Sequence, residues 1–263
     1  MTSVFPDGYF ASPTVARVQD HLDGGTDNYL PDRDFARDLV AAAPWLPGSV
    51  RVNRAHGPRV LACLTREYGI DQVIDLGCGL PHDDNRDVPD EVRRMVYVDS
   101  DPGVEAHARM VLAERHGTVS LRADLEDTSA LLAAGPIARL DRGRPIGVLL
   151  HDVLPWLGDE TAHTALTALR SWLPSGSVLS VTHATTDTAP EAMTSLTRVY
   201  ARAGIGFRPR SGQQIRDLFR SWTPLEADGP VTTASWRHFP RLHPHWDPSH
   251  AYAILASPGD RTS

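Results

Sequence analysis

Four places in the chain put chemically capable side chains at the ends of short apolar runs. They are Asp75 in VIDLGCGLP, Asp99 in YVDSDP, Asp124 in LRADLED, and His151 with Asp152 in VLLHDVLPWL. Asp75 stands just ahead of Gly77, Cys78 and Gly79. A glycine turn after a buried strand lets backbone approach a ligand closely. The dinucleotide fingerprint G-x-G-x-x-G also needs a third glycine, but Leu80, Pro81 and His82 follow here. A helix N-terminus favours phosphate, and Asp75 would oppose one. An ammonium or sulfonium ligand reverses that sign.

Asp99, with Ser100 beside it, ends the second run 24 residues after Asp75. An acid near this offset accepts hydrogen bonds from ribose hydroxyls. Asp124 follows the third run, where a carboxylate can meet an adenine amino group, with Leu125 next to it. Ribose, adenine and a cationic end together describe S-adenosylmethionine (SAM). His151 is a candidate general base, assisted by Asp152 or by His183 on the next run. Two alternatives stand beside a SAM-dependent enzyme: an NAD-dependent oxidoreductase of Rossmann type, and a non-catalytic SAM or small-molecule binder.

The elements that must position these residues follow from hydrophobic periodicity. Runs at Val73–Leu76, Met95–Val98, Val119–Leu121, Ile146–Leu150 and Val178–Val181 read as strands buried on both faces. Helical patterns over 104–115, 128–134 and 161–172 separate them, which argues for βαβ units and a parallel sheet. Ser211 with Gln214 is a capping box ahead of Ile215, Leu218, Phe219 and Trp222. AYAILAS, residues 251–257, is a final strand. Ahead of the first strand, helices are expected over 14–21, 32–43 and 50–68, with a turn at GGTDNYLPD.

Composition narrows the partners. The 263 residues hold 33 acids against 26 bases, a net charge of −7. No basic run would track a phosphate backbone, so nucleic acid is not expected. No apolar run approaches the ~20 residues of a spanning helix, and the N-terminus lacks a signal-peptide pattern. Two cysteines cannot build a disulfide framework, so a cytoplasmic setting is expected. His238, His243, His245 and His250 with Asp247 match no standard metal spacing, and no metal is expected.

Six stretches together resemble a known family, the actinobacterial SAM-dependent methyltransferases once grouped as a domain of unknown function. They are ARVQDHLDGGTDNYLPDR (16–33), VNRAHGPR (52–59), IDLGCGLP (74–81), VYVDSDPGVEAHAR (96–109), LRADL (121–125) and VTHAT (181–185). The resemblance covers the chain from about Ala16 to the last strand. It implies an α/β, Rossmann-like seven-stranded SAM methyltransferase fold with extra N-terminal helices. Residues 1–70 would form a helical cap or lid and residues 71–263 the SAM-binding core. In such a fold Asp75, Gly77 and Gly79 contact the methionine end, Asp99 the ribose, and Asp124 with Leu125 the adenine. Arg17, Tyr29, Asn53 and Arg54 are candidates for closing over the cofactor. The methyl acceptor would be a small molecule, methylated on O or N. One position departs from the family pattern: Pro155 stands where a histidine is common.

Overall fold

The computed structural model describes residues 5–81, 88–112, 115–226, 229–238 and 249–259. Five parallel strands form its centre: β1 (Gln72–Leu76), β2 (Arg94–Asp99), β3 (Thr118–Arg122), β4 (Gly147–His151) and β5 (Val178–Ala184). Three antiparallel pieces extend the sheet beyond β5: β6 (Thr223–Pro224), β7 (Val231–Thr232) and β8 (Ala251–Ser257). The sheet order is β3-β2-β1-β4-β5-β8-β6, with β7 also paired to β8. Strand order reverses between β1 and β4, so the crevice for a ligand lies at their carboxyl ends. This is the expected Rossmann-like fold, with eight strands where the resemblance implies seven; β6 and β7, two residues each, add to the six strands read from the hydrophobic pattern.

Alternate residues of each central strand enter different cores. Ile74, Leu76, Val96, Val98, Val148 and Leu150 pack in one cluster with Leu166, Leu169 and Ile215. The last three come from α8 (Asp159–Trp172) and α10 (Gly212–Leu218). Val73, Met95, Tyr97 and Leu149 pack in a second cluster with Val60, Cys63 and Leu64 of α4 (His56–Tyr68). Gly147 permits that packing, since a Cβ there would sit 2.9 Å from a methyl of Leu64. Two-sided burial explains why the strands read as continuous apolar runs. The remaining helices after β1 are α5 (Pro102–Leu112), α6 (Thr128–Ala133), α7 (Gly135–Ala138) and α9 (Pro190–Arg202).

Before β1 stand α1 (Val15–Asp23), α2 (Leu30–Ala42) and α3 (Leu46–Arg54), followed by α4. A single helix was expected over 50–68. It is instead two helices meeting at Ala55, whose α-region backbone caps both. Pro58 falls in the first turn of α4, where its missing N–H costs no hydrogen bond. Val18, Leu22, Ala36 and Leu39 of α1 and α2 pack with Met193, Leu196 and Tyr200 of α9 in a third cluster. The buried Asp32 carboxylate ties α1 to α2, accepting from Thr14 N, Tyr29 N and Arg17 Nε at 3.1, 2.8 and 2.8 Å. The capping box of α10 forms as read: Ser211 Oγ accepts from Gln214 N, and Gln214 Oε1 from Ser211 N. No helix among the described residues is long and apolar enough to cross a membrane.

Candidate active site

A cavity of about 450 Å³ opens at the carboxyl ends of the parallel strands, between the sheet and helices α1, α3 and α4. Its size lies in the range of small-molecule and cofactor sites. Asp75, Gly77, Cys78 and Gly79 line it, as do Asp99, Ser100, Asp124, Leu125, His151 and Asp152. Ten of the sequence-derived positions therefore meet around one space.

The glycine turn closes on its neighbour strand. Gly77 N and Cys78 N both donate to Val98 O, at 2.7 and 3.1 Å. Gly77 has φ of 71°, and a Cβ there would collide with the Val153 side chain. Only glycine brings this backbone so close to the loop after β4. Asp99 accepts from Gly79 N at 3.1 Å through one carboxylate oxygen and from Asp101 N at 2.9 Å through the other. These bonds fix its orientation and leave lone pairs for a diol. Burial nevertheless pushes its carboxyl up to about 6.

Asp75 is more exposed to its own burial. Among the described residues its carboxylate accepts no hydrogen bond, and desolvation with the nearby Asp99 charge pushes it up to about 7, against the pull of Arg54. A carboxylate held in this way calls for a cation. Arg54 lines the cavity as expected, reaching Leu80 O and pairing with Asp23 at 3.3 Å. Asp124 caps the short turn at Leu125–Asp127 by accepting from Glu126 N at 2.9 Å, leaving Leu125 buried at the cavity wall.

At the end of β4, His151 Nε2 meets Ser180 Oγ at 2.9 Å, and its ring lies 5.2 Å from that of His56. Burial pushes His151 down to about 4, so it is neutral near pH 7 and a weaker base than an ordinary histidine. Asp152 follows on left-handed backbone, φ 55°, its N–H donating to Thr182 O and Oγ1 at 3.1 and 2.9 Å. Burial pushes its carboxyl up to about 7. Burial thus moves the two groups in opposite directions, the histidine down and the aspartate up.

Three sequence candidates stand away from the cavity. His183 is fully buried in β5, its Nδ1 at 2.8 Å from Ala184 O and its Nε2 at 2.8 Å from Arg210 Nη1. It faces the α8–α10 side and anchors Arg210 rather than taking a proton. Arg17 is 3% exposed and holds Asp32, Tyr9 O and Ser12 O. It is the clasp of the N-terminal helices, not a partner for a cofactor carboxylate. Tyr29 is 47% exposed and packs edge-on against Phe10 at 5.1 Å. Neither Arg17 nor Tyr29 lines the cavity. His250 stacks on Trp45 and meets Thr188 Oγ1 at 2.8 Å. His243, His245 and Asp247 lie outside the described residues.

The structure also adds residues the sequence reading passed over. Asp101 lines the cavity and caps α5 by accepting from Gly103 N at 2.8 Å. Its position before Pro102 was a readable N-cap signal. Val15, Ala16, Gln19 and Gly57 line the cavity from the N-terminal helices, and no local pattern marks them.

Sheet order, glycine turn and acidic rim define a Rossmann-like protein that takes a nucleoside with a cationic side chain. The chain belongs to the S-adenosyl methyltransferase family, whose model matches residues 10–257. It is thus a SAM-dependent methyltransferase, and the oxidoreductase and binder alternatives fall away. A crystal structure from Thermobifida fusca YX, described as that of a candidate methyltransferase, is 32% identical with a TM-score of 0.86. That match covers 97% of this chain and 99% of the other. A DUF574 family protein from Streptomyces avermitilis MA-4680 is 28% identical, also with a TM-score of 0.86, covering 94% and 98%. Magnesium protoporphyrin IX methyltransferase from Synechocystis PCC 6803, with bound SAM, shares the fold at 15% identity and a TM-score of 0.50, covering 91% and 94%. No curated protein matches the chain.

The cavity fits SAM on its own chemistry. Asp75 offers a cation a carboxylate that accepts no hydrogen bond among the described residues, the Gly77 position admits no side chain, and Asp99 is pre-set by two backbone donors.

Proposed function

We propose that this methyltransferase acts on a small molecule, transferring the methyl group to O or N within the cavity below the N-terminal helices. One observation carries the reading. Along the carboxyl edge of the sheet, the ends of β3, β2, β1 and β4 contribute Asp124, Asp99, Asp75 and Asp152 in spatial order to one cavity. Adenine, ribose and methionine moiety would take the first three places in turn. The fourth place, beside β4, is left for the acceptor.

SAM supplies an electrophilic methyl on a sulfonium. The chain's own residues do the rest. Asp99 would hold the ribose diol, Asp124 and Leu125 the adenine, and Asp75 the positive charge, with Ser100 and the Gly77–Gly79 backbone shaping the floor. Orientation of this kind can lower the barrier by roughly 7–11 kcal/mol. Residues 1–70 act as a cap: α1, α3 and α4 furnish Ala16, Gln19, Asn53, Arg54 and Gly57 to the cavity roof. Water exclusion by that roof favours a compact acceptor over a polymer. The two thiols are free, with Cys63 buried, which suits a reducing, cytoplasmic setting.

Calorimetry of SAM and of its demethylated product, S-adenosylhomocysteine (SAH), tests the assignment. Wild type should bind both in the micromolar range. Asp99→Ala removes a charged acceptor and should weaken binding by about 10²-fold. Equal affinity in the variant would remove Asp99 from the ribose site.

A further inference from the structure

The acceptor place has its own chemistry, and it favours one class of nucleophile. Asp152 projects from backbone that few residues adopt, and both of its backbone bonds to Thr182 hold it there. Residues kept in left-handed conformation cost energy and concentrate at functional sites. Among the described residues its carboxylate has no hydrogen-bond donor and no cation. It lines the cavity beside Val153 and Trp156. The Trp156 indole N–H is spent on Asp152 O at 2.6 Å, so the ring offers the cavity only apolar and π surface.

The surrounding charge is predominantly negative. Asp75, Asp99, Asp101, Asp124 and Asp152 line the cavity; Arg54, paired to Asp23, is the one arginine among the described lining residues. A carboxylate-bearing or phenolate acceptor would meet like charge at Asp152. A neutral alcohol would leave that carboxylate uncompensated. A cation satisfies it and gains from the aromatic wall.

We propose that the methyl acceptor is an amine on an apolar or aromatic body, its nitrogen held by the Asp152 carboxylate against Val153 and Trp156. The proposal rests on the methyl-transfer reading above and names the substrate class for it. An ammonium carries no lone pair. Asp152 takes one N–H proton and becomes a neutral carboxyl. The freed pair forms the N–CH3 bond as the methyl's bond to sulfur breaks, and sulfur keeps those electrons. The product leaves as the N-methylammonium, and the Asp152 proton returns to solvent. A carboxyl titrating near neutrality suits that exchange. His151, neutral and held by Ser180, lines the same place without competing for the proton.

The test uses a matched pair of probes, 2-phenylethylamine and 2-phenylethanol, titrated by calorimetry into SAH-loaded protein at pH 7.5. Wild type should bind the amine at least about tenfold more tightly than the alcohol. Asp152→Asn should erase that preference while SAH affinity stays within about twofold. Asparagine tolerates left-handed backbone, so the variant should fold, and its thermal melt checks this. Equal binding of the two probes, binding of neither, or an amine preference that survives in Asp152→Asn would each overturn the proposal. Failure of wild type to bind SAH at all would overturn the methyl-transfer reading itself, before the acceptor is in question.

Discussion

At the scale of single residues, the site is a set of carboxylates placed where none would choose to be. Asp75 is the sharpest case, and its consequence has a definite sign. Burial and the neighbouring Asp99 charge push its carboxyl from the ordinary 3.8 of an exposed aspartate up to about 7 in the folded protein. The folded state holds the extra proton between those values. The stability Asp75 contributes is thus fully present below about pH 4 and lost as pH rises through 7. Asp75→Asn should stabilise the ligand-free protein at pH 8 by about 1–2 kcal/mol, discounted for water in the cavity, and have little effect at pH 4. It should weaken SAM binding as well. Thermal melts at both pH values decide the point: the same shift at each would mean that the carboxyl is not strained by burial. These acids were legible because each ends an apolar run, so the residue type alone announces the strand's mouth. Arg17 and His183, which the structure places away from the cavity, are the opposite case. Their partners, Asp32 and Arg210, stand 15 and 27 residues away in sequence, and nothing local separates an arginine that binds a ligand from one that clasps two helices.

Elements position those residues, and one buried arginine holds the element that matters most to the acceptor side. Arg210 is 4% exposed. It reaches Leu154 O and Leu157 O at 3.0 and 3.1 Å, Asp159 Oδ1 at 2.6 Å, and His183 Nε2. These contacts staple the loop after β4, which carries Val153 and Trp156, to the start of α8. Arg210→Met would strip Leu157 O of its donor among the described residues and leave Leu154 O with only the Leu157 N–H at 3.2 Å. A loss of about 3 kcal/mol is expected, read by chemical denaturation, with acceptor affinity falling more than SAM affinity. Unchanged stability would mean that water replaces the guanidinium at no cost. The sequence reading missed elements where the signal was brief or ignored. β6 and β7 are two residues each, too short for any alternation to show. Helix α9 was readable: Pro190 sits in its first turn, and Met193, Leu196 and Tyr200 recur at helical spacing. The break between α3 and α4 depended on Gly57-Pro58, which the helical periodicity of the flanking residues masked.

The whole molecule brings its first residues to the rim of the cofactor cavity, a contact spanning 92 positions of sequence. The Tyr9 hydroxyl donates to Asp101 Oδ1, the oxygen that also accepts from Gly103 N. Tyr9 in turn packs against Phe5, tilted, at 5.0 Å and edge-on against Phe10 at 4.9 Å, and its ring centre lies 4.5 Å from the Arg17 guanidinium carbon. Burial and the Asp101 carboxylate together push the Tyr9 phenol up, so it remains a donor at any working pH. The segment therefore links the clasp of α1 and α2, through Arg17, to the loop that orients Asp99. Long-range pairing of this kind is what sequence periodicity cannot reveal, because neither tyrosine nor aspartate carries a mark of the other. It also predicts how the cap is felt at the site. Tyr9→Phe keeps the ring packing and removes one hydrogen bond to a charged group, typically worth about 1.5–3 kcal/mol when buried and less at a partly open rim. The fold should survive with a melting shift of a few degrees at most. SAH dissociation should quicken several-fold, while its association rate stays near that of wild type, because the lost bond restrains the closed rim rather than building the pocket. Stopped-flow displacement of a fluorescent SAH analogue measures both rates. A variant that releases SAH as slowly as wild type would confine the N-terminal segment to stability and leave retention of the cofactor to the core alone.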